Sequence, residues 1–290
     1  MKILSVTERL FWKFEEPRTL SPRDMALAVD LCLWHNHSSQ KLLEVGVFKG
    51  AFMNTLLMNC PNWSAVGIDP YPGHPEIREL FKENSRSLGL TAKINLFSDF
   101  KQFQSKQESL STAELIGRFG LIHIDGEHSG EAVYGDLNES IRYLAPDGIL
   151  VIDDIFHTAF PGIVSAVYKF IHSNPLVPFL LSGDKMWLCF PEFFEKYSVL
   201  TKYILKDRRI AFNSEYLEDY KQLNSVKGYS QIIIKHEKEY YEVFRKHNHI
   251  PLSQYEMRMK IHEVIDFVLP GFVVTVLRKV LNTLRKAGER

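Results

Sequence analysis

Cysteine is scarce in this chain and forms no pattern. Cys32, Cys60 and Cys189 are far apart and sit among apolar neighbours. That spacing excludes a C-x-x-C metal or redox pair and predicts buried thiols in a reducing compartment. No run of about 18 uncharged apolar residues occurs, so no membrane-spanning helix is expected. The opening Met1-Lys2-Ile3-Leu4-Ser5-Val6 meets Glu8 too early for the core of a signal peptide, and the expected location is the cytoplasm. Charge of neither sign is in excess: 35 basic and 35 acidic residues cancel, which removes any global attraction for nucleic acid. The G-x-G-x-x-G spacing of a dinucleotide site is also missing. What remains is the composition of a globular protein, 45% hydrophobic and 24% charged over 290 residues. That length buries a full α/β core and leaves residues for an appendage.

The chain is organised around Lys41–Ala51, in which the apolar Leu42, Leu43 and Val45 carry one acid, Glu44, and run into Gly46 and Gly50. A buried strand passing through a glycine turn into a helix (51–59) opens a nucleotide-binding α/β unit. Glycines let the backbone approach a ligand, and the helix start offers unpaired N–H groups. The spacing is G-x-x-x-G, with Phe48 between, and Glu44 stands just before the turn. An anionic pyrophosphate would be repelled by that acid. A cationic ligand such as S-adenosylmethionine, with its sulfonium and ammonium, would not. The plain alternative is an ordinary strand-turn-helix corner.

Ser21-Pro22 starts a helix that runs to about Trp34. Residues 62–69 read as a second strand ending in Asp69, and 75–88 as a helix. A third strand, 92–97, is closed by Ser98-Asp99, and a partly helical stretch leads to a fourth strand over 121–125. Next comes a helix with Val133, Leu137, Ile141 and Leu144 on one face. After the turn Pro146-Asp147-Gly148, a fifth strand (149–152) stops at Asp153-Asp154. A helix over 161–172 follows, and then a hairpin whose arms, 178–181 and 186–190, flank Ser182-Gly183-Asp184-Lys185. The alternation argues a doubly wound, mostly parallel α/β sheet with helices on both faces and an antiparallel strand at its end. Three segments are expected: 1–39 as an N-terminal helical or lid segment, 40–191 as the α/β domain, and 192–290 as a helical C-terminal extension.

Glu44, Asp69, Asp99, Asp125, Asp153 and Asp154 all fall at or near strand C-termini, the edge where such sheets bind ligands. Asp69 is placed to take ribose hydroxyls, or else is a turn aspartate before Pro70. Asp99 is placed near an adenine amine. Asp125, Asp153 and Asp154 converge on one edge and would repel one another unless a divalent cation neutralised them. Oxygen ligands favour Mg²⁺, with Mn²⁺ or Ca²⁺ as substitutes; the competing assignment is helix capping. His128, three residues past Asp125, suits a general base for a hydroxyl proton, or a structural hydrogen bond. His157 is a second candidate base, and His123, inside a strand, a core residue. The basic amphipathic pattern over 264–286 fits a helix packed on the domain or on a second copy of the chain. It also fits an anionic membrane surface.

Four motifs carry a resemblance: Leu-Glu-Val-Gly-Val-Phe-Lys-Gly at 43–50, Gly-Ile-Asp-Pro-Tyr at 67–71, His-Ile-Asp-Gly-Glu-His-Ser at 123–129 and Val-Ile-Asp-Asp at 151–154. On these the chain resembles class I S-adenosylmethionine-dependent methyltransferases over roughly 40–190. More narrowly it is similar to the metal-dependent sugar and small-molecule O-methyltransferase branch of the macrocin O-methyltransferase type. The resemblance implies a Rossmann-like seven-stranded sheet of order 3-2-1-4-5-7-6. It also implies a cofactor site of Glu44, Gly46, Val47, Gly50, Asp69, Ser98, Asp99 and Asp125, a metal on Asp125, Asp153 and Asp154, and His128 with Asp125 as catalytic residues. The usual first motif has a glycine where Phe48 stands. The expected function is methyl transfer from S-adenosylmethionine to a hydroxyl of a small molecule or sugar, assisted by Mg²⁺ or another divalent cation. An NAD(P)-dependent oxidoreductase and a non-catalytic scaffold are the competing readings. The expected partners are the acceptor and no nucleic acid, with self-association left open.

Overall fold

The computed structural model describes residues 22–35, 37–106, 118–212 and 225–234. Its centre is β4 (Phe119–Ile124), all of whose residues are buried, His123 included. A parallel strand covered on both faces requires that. β4 pairs with β1 (Lys41–Val45) on one side and with β5 (Leu144–Ile152) on the other, both parallel. β2 (Ser64–Ile68) and β3 (Ile94–Phe97) continue the parallel array beyond β1. Beyond β5 the direction reverses. β7 (Lys185–Cys189) runs antiparallel to β5 and to β6 (Val177–Ser182), and these two strands are the expected hairpin. The order is 3-2-1-4-5-7-6, as expected for a Rossmann-like methyltransferase sheet, with one strand more.

That extra strand is β10 (Ile232–Ile234), which adds parallel to β6 after a small hairpin, β8 (Ser225–Val226) and β9 (Tyr229–Ser230). The expectation of helices throughout 192–290 therefore fails at 225–234. A short β-branched run has found the open edge that β6 would otherwise expose. Lys227, at the hairpin turn, donates to the carbonyls of Ile171, Asn174 and Leu176 at 3.2, 2.8 and 3.4 Å, placing a cation at a helix C-terminus where the dipole favours it. Other differences are local. Thr91–Lys93 is a 3₁₀ turn, and Pro146-Asp147-Gly148 lies within β5, opposite a register shift between Phe119 and Leu121.

Helices cover both faces. α5 (Gly130–Ser140) and α6 (Pro161–Ser173) pack together. Val133, Leu137, Ile163, Val167 and Phe170 there form one core with Leu43, Ile122, Ile124, Leu150 and Ile152 of the sheet. α1 (Pro22–Trp34) packs on α2 (Ala51–Asn59) and on α7 (Phe194–Phe212), and α7 also meets β6. α3 (Pro75–Ser87) and α4 (Phe100–Lys106) complete the set. Cys32, Cys60 and Cys189 are buried and free. Among the described residues no helix is long and apolar enough to cross a membrane. Residues 1–21 and the amphipathic stretch 264–286 lie outside the described residues.

Register is what builds the site. Val45 pairs with Ile68 and Ile124, Ile68 with Phe97, and Ile124 with Ile152. The strands thus end level, and the residues that follow, Gly46, Asp69, Ser98, Asp125 and Asp153, stand in one row. The antiparallel β7 begins where its neighbours end: Ile152 pairs with Met186, which delivers Lys185 to that same row.

Candidate active site

The glycine turn is closed by backbone contact. Gly46 has φ +83°, and a Cβ there would lie 1.8 Å from the Asp125 carbonyl oxygen. Only glycine lets the ends of β1 and β4 approach this closely. Phe48, where the usual motif has glycine, is itself left-handed at φ 49° and is 41% exposed. The surroundings hold it there. Asp69 Oδ2 accepts from the amides of Val47 (2.9 Å) and Phe48 (2.8 Å), Asp69 Oδ1 accepts from Tyr71 N (2.8 Å), and the Tyr71 hydroxyl donates to Phe48 O (3.0 Å). A strained non-glycine residue persists when its neighbours over-determine it. Asp69 is therefore a clamp on the turn, with most of its acceptor capacity used by the chain's own amides. Gly46 N donates to Ile68 O and Gly50 N to Val47 O, so the amides of residues 46, 47, 48 and 50 are all satisfied internally.

Ser98 and Asp99 form the cap of α4. Gln102 N donates to Asp99 Oδ1 and Ser98 N to Gln102 Oε1, each at 2.7 Å, the reciprocal pattern of a capping box. The Gln102 amide holds the exposed Asp99 carboxyl below its usual range. Glu44 is buried, and its Oε1 lies 3.1 Å from His123 Nδ1. His123 stacks on Phe52 of α2 with ring centroids 4.0 Å apart. Burial, aided by Lys185, pushes this histidine down to about 3, so it is neutral. Burial pushes the Glu44 carboxyl well up, with Asp125 adding to it.

The acids at the ends of β4 and β5 divide into two groups. Asp153 is bound by the chain itself: its Oδ1 accepts from Asp154 N at 2.8 Å, its Oδ2 accepts from Lys185 Nζ, and His123 Nε2 lies 3.9 Å away. Burial raises the Asp153 carboxyl, but the Lys185 ammonium outweighs burial and holds it low. Lys185 is 3% exposed; burial disfavours its charge, yet Asp153, Asp125 and Asp24 raise it strongly.

The second group is open. His128 Nε2 lies 3.2 Å from Asp154 Oδ2 and 3.6 Å from Asp125 Oδ1, without forming a hydrogen bond to either. Asp154 is held at φ 55°. Burial and then Asp153 push Asp125 up to about 7 and raise Asp154. His128 is raised first by Asp125, against burial, and then by Asp154. Its side chain is 37% exposed, and its ring stacks on Phe160 with centroids 4.3 Å apart. His157 stacks on Phe160 too, at 4.7 Å, and belongs to the rim.

The expected acids thus come together, but a cation of the chain already occupies Asp153. Lys185 is the site residue that the sequence reading missed. Its signal was a lone charge opening the apolar strand Met186–Cys189, next in the sheet to the strand that ends in two aspartates. One ligand atom each from Asp125, His128 and Asp154 fall within 4.8 Å of one another, as do one each from His123, Asp125 and Asp153.

Residues 43–155 match the family Methyltransf_24, described as "Methyltransferase domain". No curated protein matches the sequence. Among solved structures, the chain is similar to the O-methyltransferase TomG of Streptomyces achromogenes, involved in tomaymycin synthesis and bound to SAM. They share 14% identity at TM-score 0.46, over 65% of this chain and 88% of that one. It is similar also to the SAH-bound methyltransferase PaMTH1 of Podospora anserina, with 16% identity, TM-score 0.47 and coverage of 65% and 87%. A third is the Bacillus cereus O-methyltransferase in complex with SAH, with 11% identity, TM-score 0.47 and coverage of 64% and 90%. The matched stretch, 43–155, includes every candidate site residue except His157 and Lys185.

Proposed function

We propose that the chain is an S-adenosylmethionine-dependent O-methyltransferase that methylates a hydroxyl of a small molecule or sugar, of the macrocin O-methyltransferase type. The observation that carries this reading is the half-exposed group Asp125, His128 and Asp154, set one strand from the glycine turn. S-adenosylmethionine, when bound, supplies the methyl group. The chain's part is to hold the acceptor oxygen and remove its proton. His128 takes that proton at Nε2, and the carboxylates of Asp125 and Asp154 stabilise the imidazolium that results. Phe160, stacked on the ring, fixes its plane. Asp69 holds the turn from Val47 to Tyr71 in the shape that faces the cofactor.

The turn also speaks against the dinucleotide reading. A pyrophosphate needs free amides at such a turn, and those of residues 46, 47, 48 and 50 are bonded within the chain. A divalent cation fits Asp125 and Asp154, whose carboxyls are raised by burial and by Asp153, with the unpartnered His128 Nε2 beside them. Such an ion supplies electron withdrawal from the acceptor hydroxyl. Asp153 joins it only by giving up Lys185. The reading places the enzyme in the reducing cytoplasm, where its cysteines stay thiols.

Calorimetry and thermal shift with S-adenosylhomocysteine and NAD⁺ in parallel test the assignment. Binding and a raised Tm with the first and not the second support it; the reverse overturns it. Transfer of labelled methyl to a panel of sugars and phenols, with and without chelator, then tests the metal. Loss of transfer with cofactor binding intact supports the ion, and full transfer in excess chelator removes it.

A further inference from the structure

At the opposite edge of the sheet lies a second cluster that methyl transfer does not use. The loop from α1 into β1 carries His35 and His37, and the early part of β5 carries Asp147. His35 and His37 are 2% and 5% exposed and Asp147 9%. One ligand atom from each lies within 4.8 Å of the other two. His35 Nε2 and Asp147 Oδ2 are 3.3 Å apart, close to the ~3.4 Å that separates two ligands of a tetrahedral zinc with bonds of about 2.1 Å. Both ring nitrogens of His35 and Nε2 of His37 have no hydrogen-bond partner. Unpartnered buried polar atoms are rare and call for an explanation.

The surroundings are those that metal ligands have. The Asp147 carboxylate accepts from Ser38 N at 2.7 Å and from the Ser38 hydroxyl, which fixes its orientation. His37 Nδ1 lies 3.2 Å from the Asp147 carbonyl oxygen, and the Tyr197 hydroxyl of α7 donates to that same oxygen. Carbonyl and hydroxyl contacts of this kind orient ligating side chains. Trp63, Phe193 and Tyr197 wall the cluster.

We infer that His35, His37 and Asp147 form a structural zinc site. Two neutral imidazoles and a carboxylate suit Zn²⁺ rather than Mg²⁺. The ion would tie the α1–β1 loop, β5 and α7 together on the face away from the cofactor.

The test is elemental analysis of the full untagged chain, incubated with Zn²⁺ and desalted, alongside thermal unfolding. About one tightly held zinc per chain is expected, with a rise in Tm of roughly 5–10 °C over the chelator-treated protein. Asp154→Asn should keep that ion, and His37→Gln should lose it while leaving S-adenosylhomocysteine binding unchanged. Should His37→Gln not fold, Co²⁺ loaded into the wild type decides, since a tetrahedral site gives intense visible bands and an octahedral oxygen site does not. No zinc retained with an unchanged Tm, or zinc lost in Asp154→Asn and kept in His37→Gln, overturns the site. Either result leaves the methyltransferase reading untouched.

Discussion

Replacing Lys185 by methionine is the sharpest test of how the acidic edge is held together. The side chain is 4% exposed and its ammonium meets Asp153, whose own side chain is 11% exposed. Methionine keeps the volume and removes the charge. Breaking a buried pair from one side costs about 3–5 kcal/mol, because the remaining ion is left uncompensated. At about 2–4 °C per kcal/mol for a domain of this size, Tm should fall on the order of 10 °C at neutral pH. The pH dependence gives the cause. In the wild type the Asp153 carboxyl lies below its ordinary value, so its contribution is present above the unfolded pKa of about 3.9 and is lost as pH falls through the folded one. In Lys185→Met, burial and Asp125 act on Asp153 without the ammonium, and its folded pKa should rise above the unfolded value. The charge then costs stability at neutral pH, and protonation relieves that cost. The Tm gap between wild type and variant, followed by circular dichroism, should therefore narrow from pH 7.5 toward about pH 4.5. Adding Asp153→Asn should recover much of the loss, since removing both partners leaves no orphaned charge. An unchanged Tm at pH 7.5, or a gap that does not move with pH, refutes the buried pair.

Four further outcomes follow, three from the site and one from a helix beside it. Asp69→Ala removes the acceptor of three turn hydrogen bonds, each worth roughly 1.5–3 kcal/mol when the acceptor is charged; calorimetry should show S-adenosylhomocysteine binding weakened ten-fold or more. His128→Gln should lower kcat by ~10²–10⁴-fold with cofactor affinity retained. The wild-type rate should rise with pH through a pKa above the ordinary 6.5 of histidine, raised by Asp125 and Asp154, and the variant should lose that limb. Gly46→Ala drives a Cβ to 1.8 Å from the Asp125 carbonyl at φ +83° and should abolish cofactor binding. Gly135→Ala, where a Cβ meets nothing within 4 Å, should raise Tm slightly, since alanine in a helix gains about 1 kcal/mol over glycine.

Much of the parallel sheet was legible because its strands announce themselves. Leu42–Val45, Leu121–Ile124 and Ile149–Ile152 are short apolar runs bounded by glycine or acid, and each acid marks a strand end. The row of acids could be foreseen once the strands were taken as parallel, because parallel strands end at one edge. Lys185 could not. Its approach to Asp153 depends on β7 running backwards beside β5, a pairing that the linear pattern does not express. β10 escaped for a related reason: Ile232-Ile233-Ile234 is too short to read as a strand without a partner, and the partner, β6, lies some fifty residues earlier. Asp69 and Asp99 were placed at the correct strand ends, but their hydrogen bonds run to nearby backbone. Sequence position does not distinguish a carboxylate aimed at a ligand from one that clamps its own turn.

Burial orders the charges of the active edge into two layers with different work. The inner layer holds Glu44 with His123 and Asp153 with Lys185, with Glu44, His123 and Lys185 at most 3% exposed. These groups join the ends of β1, β4, β5 and β7. The outer layer is Asp125, His128 and Asp154, with side chains 30%, 37% and 23% exposed. It is open to an acceptor, and its carboxyls are raised because Asp153 lies behind them. The inner lysine cannot serve both layers. It neutralises Asp153 and leaves the two outer acids to His128 or to an ion from solution. The same imidazole nitrogen cannot ligate that ion and take the acceptor's proton in one turnover. Under the proposed function the outer layer would offer two ways of generating the nucleophile, with Lys185 keeping the third acid, Asp153, out of the donor set.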